Sequence, residues 1–155
     1  MKKKILIIGS NGYIGNELKN FLYKKNLEIT CVDNLLYGNT EVKEKSKLRF
    51  RTLIKDIREL KESFIEKFDT VYCLAALSKK PIKKKNQKQS YDIVKNYTIK
   101  LADKIERIGN QLIFPSSCSV YGKNKKNILF NEKSKTNPLT HYSINKLEIE
   151  NYLKN

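Results

Sequence analysis

Short apolar runs alternate along the chain with longer stretches whose apolar residues recur at three- and four-residue intervals. Lys4 to Ile8, unbroken in apolar residues from Ile5 onward, gives a strand signal and predicts cover on both faces. Tyr13 to Lys25 places Ile14, Leu18, Phe21 and Leu22 at helical spacing. Glu28 to Val32, Leu48 to Leu53, Val71 to Leu74 and Gln111 to Phe114 read as four further strands, the last stopped by Pro115. Arg58 to Lys67 and His141 to Leu153 read as helices. Ser90 to Ile108, with apolar residues at 93, 94, 97, 101, 105 and 108, reads as a long amphipathic one. Strands without polar alternation, separated by helices, predict an α/β fold with a parallel sheet. Lysine-rich Ser78 to Gln89 reads as a solvated loop, since a like-charged run cannot pack.

Gly9-Ser10-Asn11-Gly12-Tyr13-Ile14-Gly15 lies between the first strand and first helix. A G-x-x-G-x-x-G turn there suits a dinucleotide. One glycine supports the tight turn, one admits a pyrophosphate to the backbone, and one lets helix and strand pack closely. The helix N-terminus then offers free N–H groups and a positive dipole end to the phosphates. Asp33 ends the second strand, 18 residues after Gly15. A carboxylate there accepts hydrogen bonds from adenosine ribose hydroxyls and repels a 2′-phosphate, favouring NAD over NADP. Its plainer reading is an Asp opening the polar turn Asp33 to Asn39.

Tyr142 and Lys146 have Y-x-x-x-K spacing, so on a helix they share a face. A phenol ordinarily titrates near 10. Acid–base work near neutrality therefore needs about 4 kcal/mol of help, which a neighbouring ammonium supplies. In a lysine-rich chain with nine tyrosines the pair means little by itself. It gains weight from the serine-rich block Phe114 to Gly122, which follows the fifth strand at the sheet edge where ligands bind.

Together these blocks resemble the N-terminal part of an extended short-chain dehydrogenase/reductase, in the NAD-dependent epimerase/dehydratase family that acts largely on nucleotide sugars. Gly9, Asn11, Gly12, Tyr13, Ile14 and Gly15 match the family's phosphate loop, and Asp33-Asn34 its ribose-binding strand end. Asp56-Ile57 matches the pair that contacts adenine. Leu74-Ala75-Ala76 matches the small-residue turn beneath the cofactor. Ser116-Ser117 with Val120-Tyr121-Gly122 resembles the S-S-x-x-V-Y-G block, and Pro138, Tyr142 and Lys146 the active-site helix.

The resemblance implies a Rossmann-like sheet in order 3-2-1-4-5 with helices on both faces, over a single incomplete domain spanning 1–155. It implies catalysis by Ser117, Tyr142 and Lys146. Tyr142 takes a proton from a substrate carbinol while hydride passes to NAD. Lys146 holds the nicotinamide ribose, and Ser117 steadies the reacting oxygen. In an epimerase the hydride returns to the other face of the keto intermediate. Cys118-Ser119 stand where 4,6-dehydratases of the family carry Asp-Glu, which argues against that reaction. Either Val94 or Asn96 stands at a helix position where the family often has Asn.

Family members continue well past the Tyr/Lys helix into a substrate-binding region, whereas this sequence stops at Asn155. A complementing chain, a homodimer or an inactive, truncated NAD-binding module each accounts for that. His141 reads as a solvated residue at the helix start rather than a catalytic one.

Charge changes the picture less. The chain carries 32 Lys+Arg against 16 Asp+Glu, a net +16. An anionic partner such as nucleic acid is one reading. The positive residues are spread evenly and no nucleic-acid motif accompanies them, which favours a compositional origin. Met1-Lys2-Lys3-Lys4 before Ile5 to Ile8 resembles a signal peptide, but the apolar run is too short, and a buried strand fits it. No membrane span is expected. Cys31, Cys73 and Cys118 have neither metal-ligand nor disulfide spacing, so no metal and a reducing, cytoplasmic setting are expected.

Overall fold

A computed structural model describes residues 1–38, 50–77, 87–124 and 128–154, with the side chains of 87–90 excepted. Five parallel strands, β1 (Lys3–Ile8), β2 (Leu27–Asp33), β3 (Thr52–Ile54), β4 (Thr70–Cys73) and β5 (Gln111–Ile113), form one sheet in order β3-β2-β1-β4-β5. The helices are α1 (Tyr13–Tyr23), α2 (Glu62–Ile65), α3 (Gln87–Ile108) and α4 (His141–Lys154). The predicted α/β class and strand order therefore stand.

β1 shows why its run is unbroken. Alternate side chains of a strand point to opposite faces. Leu6 and Ile8 pack with Val32, Val71, Leu101 and Ile105, while Ile5 and Ile7 pack with Leu22. Polar alternation would have buried a polar group on one side. Cys73 is buried with Leu6 and Ile8, Cys31 is buried too, and Cys118 is exposed.

Two expectations are corrected. The third strand is Thr52–Ile54, not Leu48 to Leu53, whose first two residues lie outside the described ones. Pairing with β2 begins only at Cys31 opposite Thr52. Phe50 packs edge-on against Tyr23 of α1, ring centroids 5.6 Å apart, instead of joining the ladder. The helix expected over Arg58 to Lys67 is a 3-10 turn, Ile57–Glu59, followed by one α-turn, Glu62–Ile65. Leu60 breaks it: its backbone is extended, its side chain enters the core, and its carbonyl accepts from Lys104 Nζ at 3.0 Å.

α3 begins at Gln87, so the last residues of the expected Ser78 to Gln89 loop are helical; residues 78–86 lie outside the described ones. A further 3-10 turn, Cys118–Tyr121, forms within the serine-rich block. Among the described residues no helix is long and apolar enough to cross a membrane.

The chain divides into two compact units, Met1–Ala76 with Lys100–Pro115, and Leu77–Ile99 with Ser116–Asn155.

Candidate functional site

In the first unit, the glycine turn leaves β1 at its C-terminal end. Gly9 has φ +84, and its N–H donates to the Val32 carbonyl at 2.8 Å. A Cβ on Gly9 would lie 2.6 Å from the Ala75 nitrogen, so the turn after β4 packs directly on this backbone. Leu74 N–H in turn donates to the Ile8 carbonyl. A Cβ on Gly15 would strike the Gly9 carbonyl and lie 2.7 Å from Ser10. These two glycines serve packing. Gly12 differs: a Cβ there would meet only the Gly9 carbonyl, at an ordinary 3.4 Å, and its outer side is open.

Gly12 is also the N-cap of α1, with no side-chain cap and no acidic residue in the first turn. Helix N-termini leave their first N–H groups without intrahelical partners. The side chains of Tyr13 and Ile14 are 85% and 57% exposed, so they leave that end uncrowded. Backbone donors, dipole and open glycine together suit a phosphate.

Asp33 ends β2. One carboxylate oxygen accepts from Asn11 N–H at 2.9 Å and the other from Leu35 N–H at 2.8 Å. A carboxylate has about four lone-pair sites, so acceptor capacity remains for hydroxyls. Asn34 Nδ2 donates to Asp56 at 3.0 Å, linking the ends of β2 and β3. Burial pushes the Asp56 carboxyl up. Hydrogen bonds from the Arg58 side chain and backbone and from Asn34, with the Arg58 charge, outweigh it and hold the group at about 2. Ile57 packs against the core beside it, and Ala76 is half-buried after β4. The structure thus gathers the predicted cofactor residues of this unit at the C-terminal ends of β1 to β4.

The second unit holds Ser117, Tyr142 and Lys146. Thr140 and Ser143 cap the start of α4 reciprocally: Ser143 N–H donates to Thr140 Oγ1 at 3.1 Å and Thr140 N–H to Ser143 Oγ at 3.0 Å. The next residues carry Tyr142, half-buried, and Lys146, 5% exposed, whose Nζ lies 5.8 Å from the Tyr142 ring centroid. Ser117 Oγ accepts from Ser119 N–H at 3.2 Å and meets Ser119 Oγ at 2.8 Å. Donation by Ser119 leaves the Ser117 proton for another acceptor. Among the described residues no hydrogen bond joins Ser117 to Tyr142.

Other contacts hold these parts. Gly122, at φ +74, packs on the Asn137 carbonyl, and Asn137 N–H donates to Val120 at 2.9 Å. Ser116 hydrogen-bonds Glu150 of α4. Lys95 of α3 pairs with Glu148 of α4 at 2.6 Å. That Glu148 hydrogen bond, against some desolvation, raises the Lys95 pKa, with the charges of Glu148 and Asp92 assisting. Asn96 is exposed and Val94 half-buried. His141 is exposed, as a helix-start residue would be. Sequence reasoning missed Ser119 and the Thr140–Ser143 cap. Both follow side-chain-to-backbone spacings, S-x-S and T-x-x-S, that were there to be read.

Residues 5–155 match the model of the NAD dependent epimerase/dehydratase family. A UDP-glucose 4-epimerase of Lactobacillus helveticus is 28% identical over 95% of this chain and 45% of its own length. Among solved structures, a UDP-N-acetylglucosamine 4-epimerase from Methanobrevibacter ruminantium M1, in complex with UDP-N-acetylmuramic acid, is 26% identical with a TM-score of 0.83, over 99% of this chain and 50% of that one. A UDP-glucose-4-epimerase from Stenotrophomonas maltophila with bound NAD is 25% identical with a TM-score of 0.82, over 98% and 48%. The chain spans about half the length of these relatives.

Proposed function

The chain belongs to the NAD dependent epimerase/dehydratase family, and from that premise we propose that it is the NAD-binding and acid–base part of an epimerase acting on a nucleotide sugar. The observation that carries the proposal is the junction of Asp33 with the glycine turn, one carboxylate oxygen fixed by Asn11 N–H at 2.9 Å. Asp33 accepts the adenosine ribose hydroxyls and discriminates against a 2′-phosphate. The α1 N-terminus and open Gly12 take the pyrophosphate, with Tyr13, Ile14 and Gly15 contributing backbone rather than side chain. Asn34, Asp56 and Ile57 flank the adenine, and Leu74, Ala75 and Ala76 form the floor.

Bound NAD supplies a hydride acceptor and donor. Tyr142 takes the carbinol proton and later returns it. Lys146 stabilises the Tyr142 phenolate that accepts this proton, and its ammonium donates to ribose hydroxyls. Ser117, oriented by Ser119, donates to the reacting oxygen.

The relatives' greater length favours a second reading, a module that binds NAD and turns over sugar only with a further segment or chain. One titration tests the common premise. Calorimetry with NAD⁺ is expected to show binding by the wild type and at least about tenfold weaker binding by Asp33→Ala, for loss of charge-assisted hydrogen bonds. No binding by folded wild-type protein overturns both readings. Binding without interconversion of UDP-sugars selects the second.

A further inference from the structure

Lys19 and Lys146 are buried, at 3% and 5% exposure. The proposed chemistry uses Lys146 and leaves Lys19 unexplained. An ammonium withdrawn from water is costly unless it is well partnered. Lys19 shares the inner face of α1 with Gly15 and Leu22, four residues before and three after it. Helical side chains lean toward the N-terminus, and this one leads back to the glycine turn. Its Nζ donates to Asn11 Oδ1 at 3.2 Å. The same oxygen receives Thr52 Oγ1 at 3.1 Å and Ser10 Oγ at 3.4 Å. The Phe50 ring covers the ammonium, its centroid 5.7 Å away. Among the described residues no carboxylate forms an ion pair with Lys19. Its ammonium meets a neutral carboxamide and an aromatic face instead.

Asn11 is therefore held from two directions. Its side-chain oxygen accepts from Lys19 and Thr52, and its backbone N–H donates to Asp33 at 2.9 Å. It stands one residue before the Gly12 N-cap. The carboxylate assigned to the ribose and the turn assigned to the pyrophosphate meet at this residue.

We propose that Lys19 is a positioning residue for the dinucleotide: its ammonium anchors the Asn11 carboxamide beneath the glycine turn, keeps Asn11 N–H on Asp33, and sets positive charge under the turn that receives the pyrophosphate. The inference rests on the NAD reading above. It predicts that binding and stability part company. Methionine fills the space of lysine without burying a charge, so a structural strut and a ligand-positioning cation respond differently to that change.

The test is NAD⁺ calorimetry with thermal melting of the full chain, as wild type, Lys19→Met, Lys19→Arg and Asp33→Ala. Lys19→Met is expected to weaken NAD⁺ about tenfold, the weight of a charge-assisted hydrogen bond, without lowering the melting temperature. Lys19→Arg is expected to recover most of the affinity. NAD⁺ affinity unchanged in Lys19→Met but weakened in Asp33→Ala overturns this inference alone. Loss of folding in Lys19→Met, or a fall in melting temperature with no recovery in Lys19→Arg, makes Lys19 a strut and also overturns it. Absence of wild-type binding overturns the NAD reading and this inference with it.

Discussion

The glycine-turn unit and the Ser117–Lys146 unit hold their functional groups by different means. In the first, backbone packs on backbone: Gly9 against Ala75 and Gly15 against Gly9 and Ser10, at separations that exclude a Cβ. The second unit has one such contact, Gly122 on the Asn137 carbonyl, but otherwise side chains hold side chains and caps: Thr140 with Ser143, Ser117 with Ser119, Lys95 with Glu148. The first arrangement dictates residue type at Gly9 and Gly15. The second can be built from many polar pairs, and each pair contributes a modest amount.

The sharpest way to separate chemistry from scaffold is Tyr142→Phe. It keeps the ring beside Lys146 and removes only the ionisable oxygen. On the proposed epimerase function, interconversion of sugar nucleotides is expected to fall about 10³-fold, while the melting temperature and NAD⁺ titration stay unchanged. Backbone packing predicts the next largest effect. Gly15→Val forces a branched side chain into the Gly9 carbonyl and is expected to cost about 3 kcal/mol, read by urea unfolding.

Gly12→Ala sharpens the contrast within one turn. Its methyl has room in the protein, so stability changes by about 1 kcal/mol at most. On the proposed function NAD⁺ affinity is still expected to fall at least about tenfold, because the methyl would occupy the side assigned to phosphate. In the other unit, Thr140→Ala removes a cap and is expected to cost about 1 kcal/mol, seen as a lower urea midpoint.

The smallest effect is electrostatic. The folded Asp56 pKa of about 2 lies below its ordinary 3.8. Its contribution is thus complete above the ordinary value and lost as pH falls through about 2. Arg58 is half exposed, and solvent screens the pair, so Asp56→Asn is expected to cost only about 1 kcal/mol at neutral pH. Wild type and variant should converge in acid unfolding below that pKa. A difference that persists there would mean that packing, not charge, is at stake.

Where residue type was dictated, the linear chain was readable. The glycine spacing, the apolar runs of β1, β2 and β4, and Asp33 at a strand end all read correctly, because burial on two faces and a packed turn permit few residues. The helix expected over Arg58 to Lys67 failed because Leu60 leaves the helical path to reach the core, and its carbonyl is taken by Lys104, 44 residues away. Strand β3 was misplaced for a similar reason: Phe50 packs on Tyr23, a partner that periodicity cannot reveal.

By itself the sequence determined the parallel α/β sheet, the glycine turn and the Tyr142/Lys146 face, since these follow from local periodicity and short spacings; the strand order came only through the family resemblance. Only the tertiary structure decided that Lys19 turns inward beneath the glycine turn, that Asn11 joins it to Asp33, and that Ser119 orients Ser117. Those facts depend on where a long or rotatable side chain finds its partner, and that choice is made by packing around it, after the backbone has taken its course.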